Sequence, residues 1–305
     1  MCLVSRLRRA VRRRSCIIAG AGITGAAAAW WLSRHGWDVV VYEANPVAGG
    51  QLNAAFTGGI PHEPSGAHIY HTANEEVHQI VRDNCWLNEY RHRVVTICGP
   101  RNYQLTWPLQ VGELMELEEW PVIREELNSR PEVPDRTNFE TYAVGVIGKT
   151  LYEWTTYGYT LKQWGVEPAL LSSSFAPKRL VLRDDGVRDM FRDPFQGWAE
   201  GGWGTLVGNL LSGISMRLGK ELNLSNLPGS ADAYIITAPL DAFLGHQALP
   251  WRGVKTEFSY EPSGGAVLPA AVVNEPHADI PYTRRVETRQ MSQMPLGAGT
   301  VVGYE

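Results

Sequence analysis

The hydrophobic pattern opens with two short apolar runs, Cys16-Ile17-Ile18-Ala19 and Val39-Val40-Val41-Tyr42, on either side of an alanine-rich stretch at 26–35 that closes at Gly36. Short unbroken apolar runs predict buried strands, and the stretch between them predicts a helix. Strand, helix and strand fit within about thirty residues, the length of a parallel crossover unit. This opening therefore predicts a helix-covered parallel sheet. Between 111 and 164 the pattern turns polar and helix-rich, with tryptophans and tyrosines on several faces. Helices are expected at 111–118, 124–127, 139–147 and 149–157. A glycine-rich stretch at 197–204 precedes a helix at 205–211 and strands at 216–218 and 233–237. The last strand ends in Ala238-Pro239 and is expected to return to the first sheet. Beyond Val254 the pattern is of strands with turns, and no internal repeat or low-complexity tract interrupts the chain.

These elements predict an α/β protein, and the glycine loop and the resemblance set out below make it a Rossmann-like FAD/NAD-type dinucleotide-binding domain with an inserted helical domain and an additional β-sheet. The expected organisation is a basic tail at 1–14, a dinucleotide-binding β-α-β core at 15–75 and a sheet or connecting segment at 76–110. A helical insertion follows at 111–175, then a substrate sheet at 176–305 that returns to the first domain near 231–244. With 305 residues, 44% of them hydrophobic, the chain is long enough for a substantial core.

A net charge of −4 gives no case for nucleic acid as the main partner, so an anionic ligand must be drawn by individual arginines. Cys2, Cys16, Cys85 and Cys98 form no Cys-x-x-Cys pair, and reduced thiols in a cytoplasmic protein are the plain expectation. Arg6, Arg8, Arg9, Arg12, Arg13 and Arg14 make the start strongly basic, without the apolar region of a signal peptide. No apolar run is long enough to predict a transmembrane helix.

The first candidate chemistry is Gly20-Ala21-Gly22-Ile23-Thr24-Gly25, which lies between the first strand and the first helix, with Glu43 at the end of the second strand. Gly20 permits the tight turn, Gly22 lets a pyrophosphate approach the backbone, and Gly25 lets the helix pack on the strand. The helix N-terminus then offers free N–H groups and partial positive charge, with Ile23 and Thr24 in its first turn. Glu43 is placed to accept from a ribose. Gly49-Gly50 shortly afterwards favours a flavoprotein over a nicotinamide dehydrogenase.

An ordered series of further motifs follows. It runs Gly66-Ala67-His68-Ile69-Tyr70-His71-Thr72, Gly158-Tyr159-Thr160-Leu161-Lys162-Gln163-Trp164-Gly165, Lys178-Arg179, Arg183, Phe195-Gln196-Gly197, Gly201-Gly202 and Pro281-Tyr282-Thr283-Arg284. With the glycine loop, Glu43 and Gly49-Gly50, this series resembles the UDP-galactopyranose mutase family over 16–289. The resemblance implies an FAD-binding α/β domain, a helical domain and a sheet whose cleft holds a nucleotide sugar. It also implies the chemistry: the reduced flavin N5 attacks the anomeric carbon, the diphosphate leaves, and the sugar opens, recloses in the other ring size and regains the diphosphate without net redox change.

By the same resemblance Arg183 and Arg284 clamp the diphosphate, whose charge grows as the glycosidic bond breaks. His68 and His71 run beside flavin and sugar, and Tyr159, Gln163 and Trp164 line the cleft. Phe195 takes the place of a uridine-stacking tyrosine, which keeps the stacking and loses the hydroxyl. Gln51 replaces an asparagine usual after Gly-Gly. The resemblance also implies a further C-terminal segment, with a Gly-Gly-Arg element for flavin and two tyrosines for the diphosphate, that has no counterpart before Glu305. The expectation is a pyranose/furanose mutase acting on a UDP- or GDP-hexose with FAD. Two alternatives stay open: a flavin-independent mutase using Mg²⁺ or Mn²⁺ bridged to the diphosphate, with Asp184, Asp185, Asp189 and Asp193 near Arg183, or a non-catalytic nucleotide-sugar-binding remnant. A homodimer is compatible with either.

Overall fold

The computed structural model describes residues 12–245, 248–294, 297 and 299–305. Cys2, Arg6, Arg8 and Arg9 lie outside the described residues. The chain divides into two compact units, one formed by the residues up to Asn53 with Trp203–Pro250, the other by Ala54–Gly202 with Trp251–Glu305. The first unit thus ends earlier than the expected 15–75 core, and it takes in all of 203–250.

In the first unit, strand β1 (Ser15–Ala19), helix α1 (Ile23–Arg34) and strand β2 (Asp38–Glu43) form the crossover. β1 and β2 are central in a parallel sheet, flanked by Ala233–Ile236 beside β1 and Ser215–Leu218 beside β2. Val39 and Val41 point into the core with Ile18, and α1 buries only small residues, Gly25, Ala26 and Ala29. That choice lets the helix close on the sheet. A Cβ on Gly25 would stand 1.9 Å from the carbonyl oxygen of Gly20.

In the second unit, the described residues form a six-stranded sheet in the order Glu257–Glu261, Thr300–Tyr304, Arg284–Val286, Val272–Asn274, Val94–Cys98, Tyr103–Trp107. Only the pairing of Val272–Asn274 with Val94–Cys98 is parallel. Helices cover it, and their shared core holds Leu105, Leu114, Ile123, Phe139, Ile147 and Leu151. The helix Phe139–Ile147 starts at a capping box between Asn138 and Thr141. The helix expected at 149–157 is three pieces in succession: Lys149–Tyr152, a π-helical turn Glu153–Tyr157, and Gly158–Trp164. The helix expected at 111–118 stops at Leu114.

The segment 76–110, expected as sheet or connection, instead opens with a helix, Glu75–Asn84. Asn74 accepts from the Val77 N–H, and Glu75 and Glu76 sit in the first turn, where the helix dipole favours acids. Among the described residues no helix is long and apolar enough to cross a membrane. Cys16, Cys85 and Cys98 are free and buried.

Candidate functional site

The glycine loop gathers at the carboxyl end of β1. Gly20 has φ +106°, and a Cβ there would meet the Thr237 hydroxyl at 2.3 Å. The N-cap of α1 is Gly22, and no side chain caps the helix, so the first-turn N–H groups at Ile23 and Thr24 are left for a ligand. Gly49 donates its N–H to the carbonyl of Ala21, and Gly50 (φ +55°) packs on Gly22, where a Cβ would be 3.1 Å from the Gly22 Cα. Glu43 is buried and already accepts from the Ala21 N–H at 2.8 Å and from the backbone and side-chain N–H groups of Asn45. A carboxylate offers about four acceptor positions, and these three bonds fill three of them.

The second unit contains a cleft of about 290 Å³. One wall is helical. Thr155 and Thr156 come from the π-helical turn, and Tyr159, Thr160, Gln163 and Trp164 continue the same face. π-turns are uncommon and recur at functional sites. The opposite wall is the sheet, with Val94, Trp107, Asn274 and Arg284; Asn274 and Arg284 are cross-strand partners. Phe175, Pro177 and Arg179 close a third side, with the Trp164 and Phe175 rings edge to face at 4.7 Å. Two arginines and no carboxylate stand among the described residues of this lining. Such a lining suits an anion attached to groups that stack and hydrogen-bond.

Of the residues given a site role in the sequence, Tyr159, Gln163, Trp164 and Arg284 fall on the cleft. Arg284 forms a close ion pair through its Nε with the buried Glu305 carboxylate. Burial raises the Tyr159 pKa, opposed by Arg284, so its hydroxyl stays a donor at neutral pH. Arg183 does not line the cleft. Its guanidinium donates to the carbonyls of Asp189 (2.7 Å) and Met190 (3.0 Å), bracing the chain beneath Met190, which does line it.

His71 and Phe195 lie on the paired strands Tyr70–Thr72 and Phe195–Gly197. The His71 Nδ1 meets Asp193 at 2.6 Å, and its ring stacks on Phe191 at 3.6 Å. Phe195 stacks on His78 at 4.0 Å. His68 donates its backbone N–H to Glu63 at 2.8 Å, and burial raises the Glu63 pKa against the opposing effect of His68.

Sequence reasoning gave no role to Arg179 or His92. Arg179 stands over the Phe191 ring at 4.6 Å, with its pKa lowered by burial and supported by Asp193. His92 is buried on the cleft wall and its Nδ1 bonds the Tyr90 hydroxyl at 2.8 Å. Burial, then the charges of Arg284, Arg179 and His71, hold its pKa at about 3, against an ordinary 6.5. The alternation Arg91-His92-Arg93, exposed on either side of a buried position, was the available signal.

His92 gives the first prediction. The unfolded chain protonates this ring below pH 6.5, whereas the folded chain does so only near 3. Stability is therefore lost as pH falls through that window, by about 2 kcal/mol on reaching pH 5. Denaturant unfolding at pH 7 and pH 5 should show His92→Gln losing that much less than the wild type. Equal losses would mean the folded ring takes up a proton.

Three of the four aspartates near Arg183 are engaged elsewhere: Asp185 with Arg192, Asp189 with Arg91 and Arg93, and Asp193 with His71. Among the described residues no group of three or more His, Cys, Asp or Glu side chains could hold a metal ion.

Comparison with known proteins bears on both units. A family model described as UDP-galactopyranose mutase matches residues 155–305, and one described as an NAD(P)-binding Rossmann-like domain matches residues 18–83. A probable UDP-galactopyranose mutase of Klebsiella pneumoniae is 29% identical over 310 residues, covering 95% of this chain and 77% of the relative. A dTDP-fucopyranose mutase of Escherichia coli is 27% identical over 304 residues, covering 95% and 80%. The crystal structure of a reduced UDP-galactopyranose mutase aligns with a TM-score of 0.70 at 17% identity, covering 95% of this chain and 74% of that one.

Proposed function

The chain belongs to the UDP-galactopyranose mutase family, and from that premise we propose that it is an isomerase interconverting the pyranose and furanose forms of a nucleoside-diphosphate sugar. The observation that carries the reading to this chain's own residues is the cleft, which offers Arg179 and Arg284 without a competing carboxylate among its described lining. Arg284 and Arg179 hold the diphosphate and take up the negative charge that grows on it as the anomeric C–O bond breaks. Tyr159, kept protonated by burial, donates to an oxygen of the same group. Trp164 and Phe175 supply aromatic surface that limits water. Arg183 contributes by bracing the Met190 wall, and His71 is fixed by Asp193. The base is uracil or thymine by analogy with the named relatives.

The cofactor proposed is FAD. The glycine cradle, the uncapped end of α1 and the remaining acceptor position of Glu43 fit the pyrophosphate and ribose of a dinucleotide. Gly22, Ile23 and Thr24 would meet the phosphates, with Gly49 and Gly50 beside them. When bound and reduced, flavin supplies the nucleophile for the anomeric carbon with no net redox change.

Two titrations test the reading. Protein incubated with FAD and desalted is expected to keep a flavin absorbance band, and UDP or dTDP is expected to change the fluorescence of cleft tryptophans Trp107 and Trp164. A protein that stays colourless and binds neither nucleotide contradicts it.

A further inference from the structure

The Gly-Tyr-Thr-x-Lys-Gln-Trp-Gly segment faces two ways. Tyr159 and Gln163, four residues apart on the helix Gly158–Trp164, line the cleft. Gly158 and Lys162, also four apart, face the loop 275–282. A Cβ on Gly158 would be 2.1 Å from the Pro276 carbonyl oxygen, so the helix presses directly on that loop. The Lys162 Nζ then reaches into it and donates to the carbonyls of His277 (2.9 Å), Ile280 (3.0 Å), Tyr282 (2.8 Å) and Glu275. An ammonium has three N–H groups, so these carbonyls share them.

The loop joins the strand Val272–Asn274 to the strand Arg284–Val286, which pair so that Asn274 stands opposite Arg284 on the cleft. Its ends are tied by the Glu275 N–H to the Thr283 carbonyl and by the Glu275 carboxylate to Arg285. Its middle turns carbonyls inward, and Lys162 is their shared donor. We infer that Lys162 is a positioning residue: its ammonium, caged by the carbonyls of loop 275–282, fixes Arg284 and Asn274 opposite Tyr159 and Gln163. Burial lowers the Lys162 pKa, while Glu275 and Asp279 oppose the shift and favour the charged form. A guanidinium cannot substitute, because its donors spread in a plane whereas the carbonyls converge on one point.

The part of this inference that concerns ligand binding rests on the nucleotide-sugar reading. The clamp itself does not, and the test separates them. Hydrogen exchange across 275–283 and the Kd for UDP are measured in wild type, Lys162→Ala and Lys162→Arg, with and without ethylammonium, and with melting curves for each. Lys162→Ala is expected to exchange faster across the loop and to bind UDP about tenfold or more weakly, the scale of losing hydrogen bonds from a charged donor. Ethylammonium, which restores an ammonium on a short stem, is expected to recover both readouts, and Lys162→Arg is expected to recover neither. Unchanged loop exchange in Lys162→Ala, or rescue by Arg as complete as by ethylammonium, overturns the clamp. Wild-type protein that binds no UDP, with loop exchange and rescue as expected, overturns the nucleotide-sugar reading alone.

Discussion

Replacing Arg284 by alanine is expected to slow turnover of a nucleotide sugar by about 10²–10³-fold, the range for losing one preorganised charge-stabilising donor. The size follows from the cleft's composition. Only Arg179 and Arg284 among its described lining residues carry a lasting positive charge, since His92 is held neutral. The Arg284 Nε is engaged by Glu305, which orients the planar head and leaves its terminal nitrogens for the proposed diphosphate contact. Arg284→Lys keeps the charge without the fork and should recover only part of the loss. Arg183→Ala should behave differently. It removes two donors to backbone carbonyls, so the main expected effect is a stability loss of about 1–3 kcal/mol with a smaller change in turnover. Turnover read below each variant's melting temperature separates the two. Equal turnover in Arg284→Ala and wild type removes Arg284 from the chemistry, and a loss in Arg183→Ala as large as in Arg284→Ala puts it in direct contact with the diphosphate.

The second large effect is expected at the glycine loop, where two alanine substitutions should fail for different reasons. A Cβ on Gly25 would be 1.9 Å from the Gly20 carbonyl oxygen, a backbone atom that cannot swing away. Gly25→Ala must push α1 off β1, at about 1–3 kcal/mol or more for overpacking, and should lose both stability and FAD. A Cβ on Gly22 would meet nothing closer than the Gly50 Cα at 3.9 Å. Gly22→Ala should therefore keep its melting temperature while losing FAD, because the added methyl would stand where the pyrophosphate of the proposed cofactor approaches the backbone. Retention of FAD by Gly22→Ala at wild-type affinity would mean the loop is a structural turn only.

The contrast between these glycines shows what was legible beforehand. Strand β1, the loop, α1 and β2 follow one another in the chain, so local pattern and turn chemistry announced them together. The helix Glu75–Asn84 also had local signals, Asn74 as cap and Glu75 and Glu76 after it, but it buries only Val81 and lacks a broad apolar stripe. The π-helical turn had no local signal, because its residues also suit an α-helix and the extra residue per turn is set by packing. In the Gly158–Trp164 helix the sequence named Tyr159, Gln163 and Trp164, and the i, i+4 geometry explains why Gly158 and Lys162 face the loop instead. Arg179 and Arg183 are four apart in an irregular segment, where no period tells which one turns inward. Tertiary contacts separate them: the β-bridge of Arg183 to Gln110, its bonds to the Asp189 and Met190 carbonyls, and the cation–π contact of Arg179 with Phe191. His92 lies just before the strand Val94–Cys98 and its carbonyl accepts from the distant Met190 N–H, a placement no short window reveals.

The most direct test of the central claim is chromatography of UDP-galactofuranose and dTDP-fucofuranose after incubation with FAD-loaded protein, with and without dithionite. The account predicts conversion of at least one to its pyranose form by the reduced protein, with little or none by the oxidised protein. Conversion by flavin-free protein, or none by protein that demonstrably holds reduced flavin and binds the nucleotide, would contradict it.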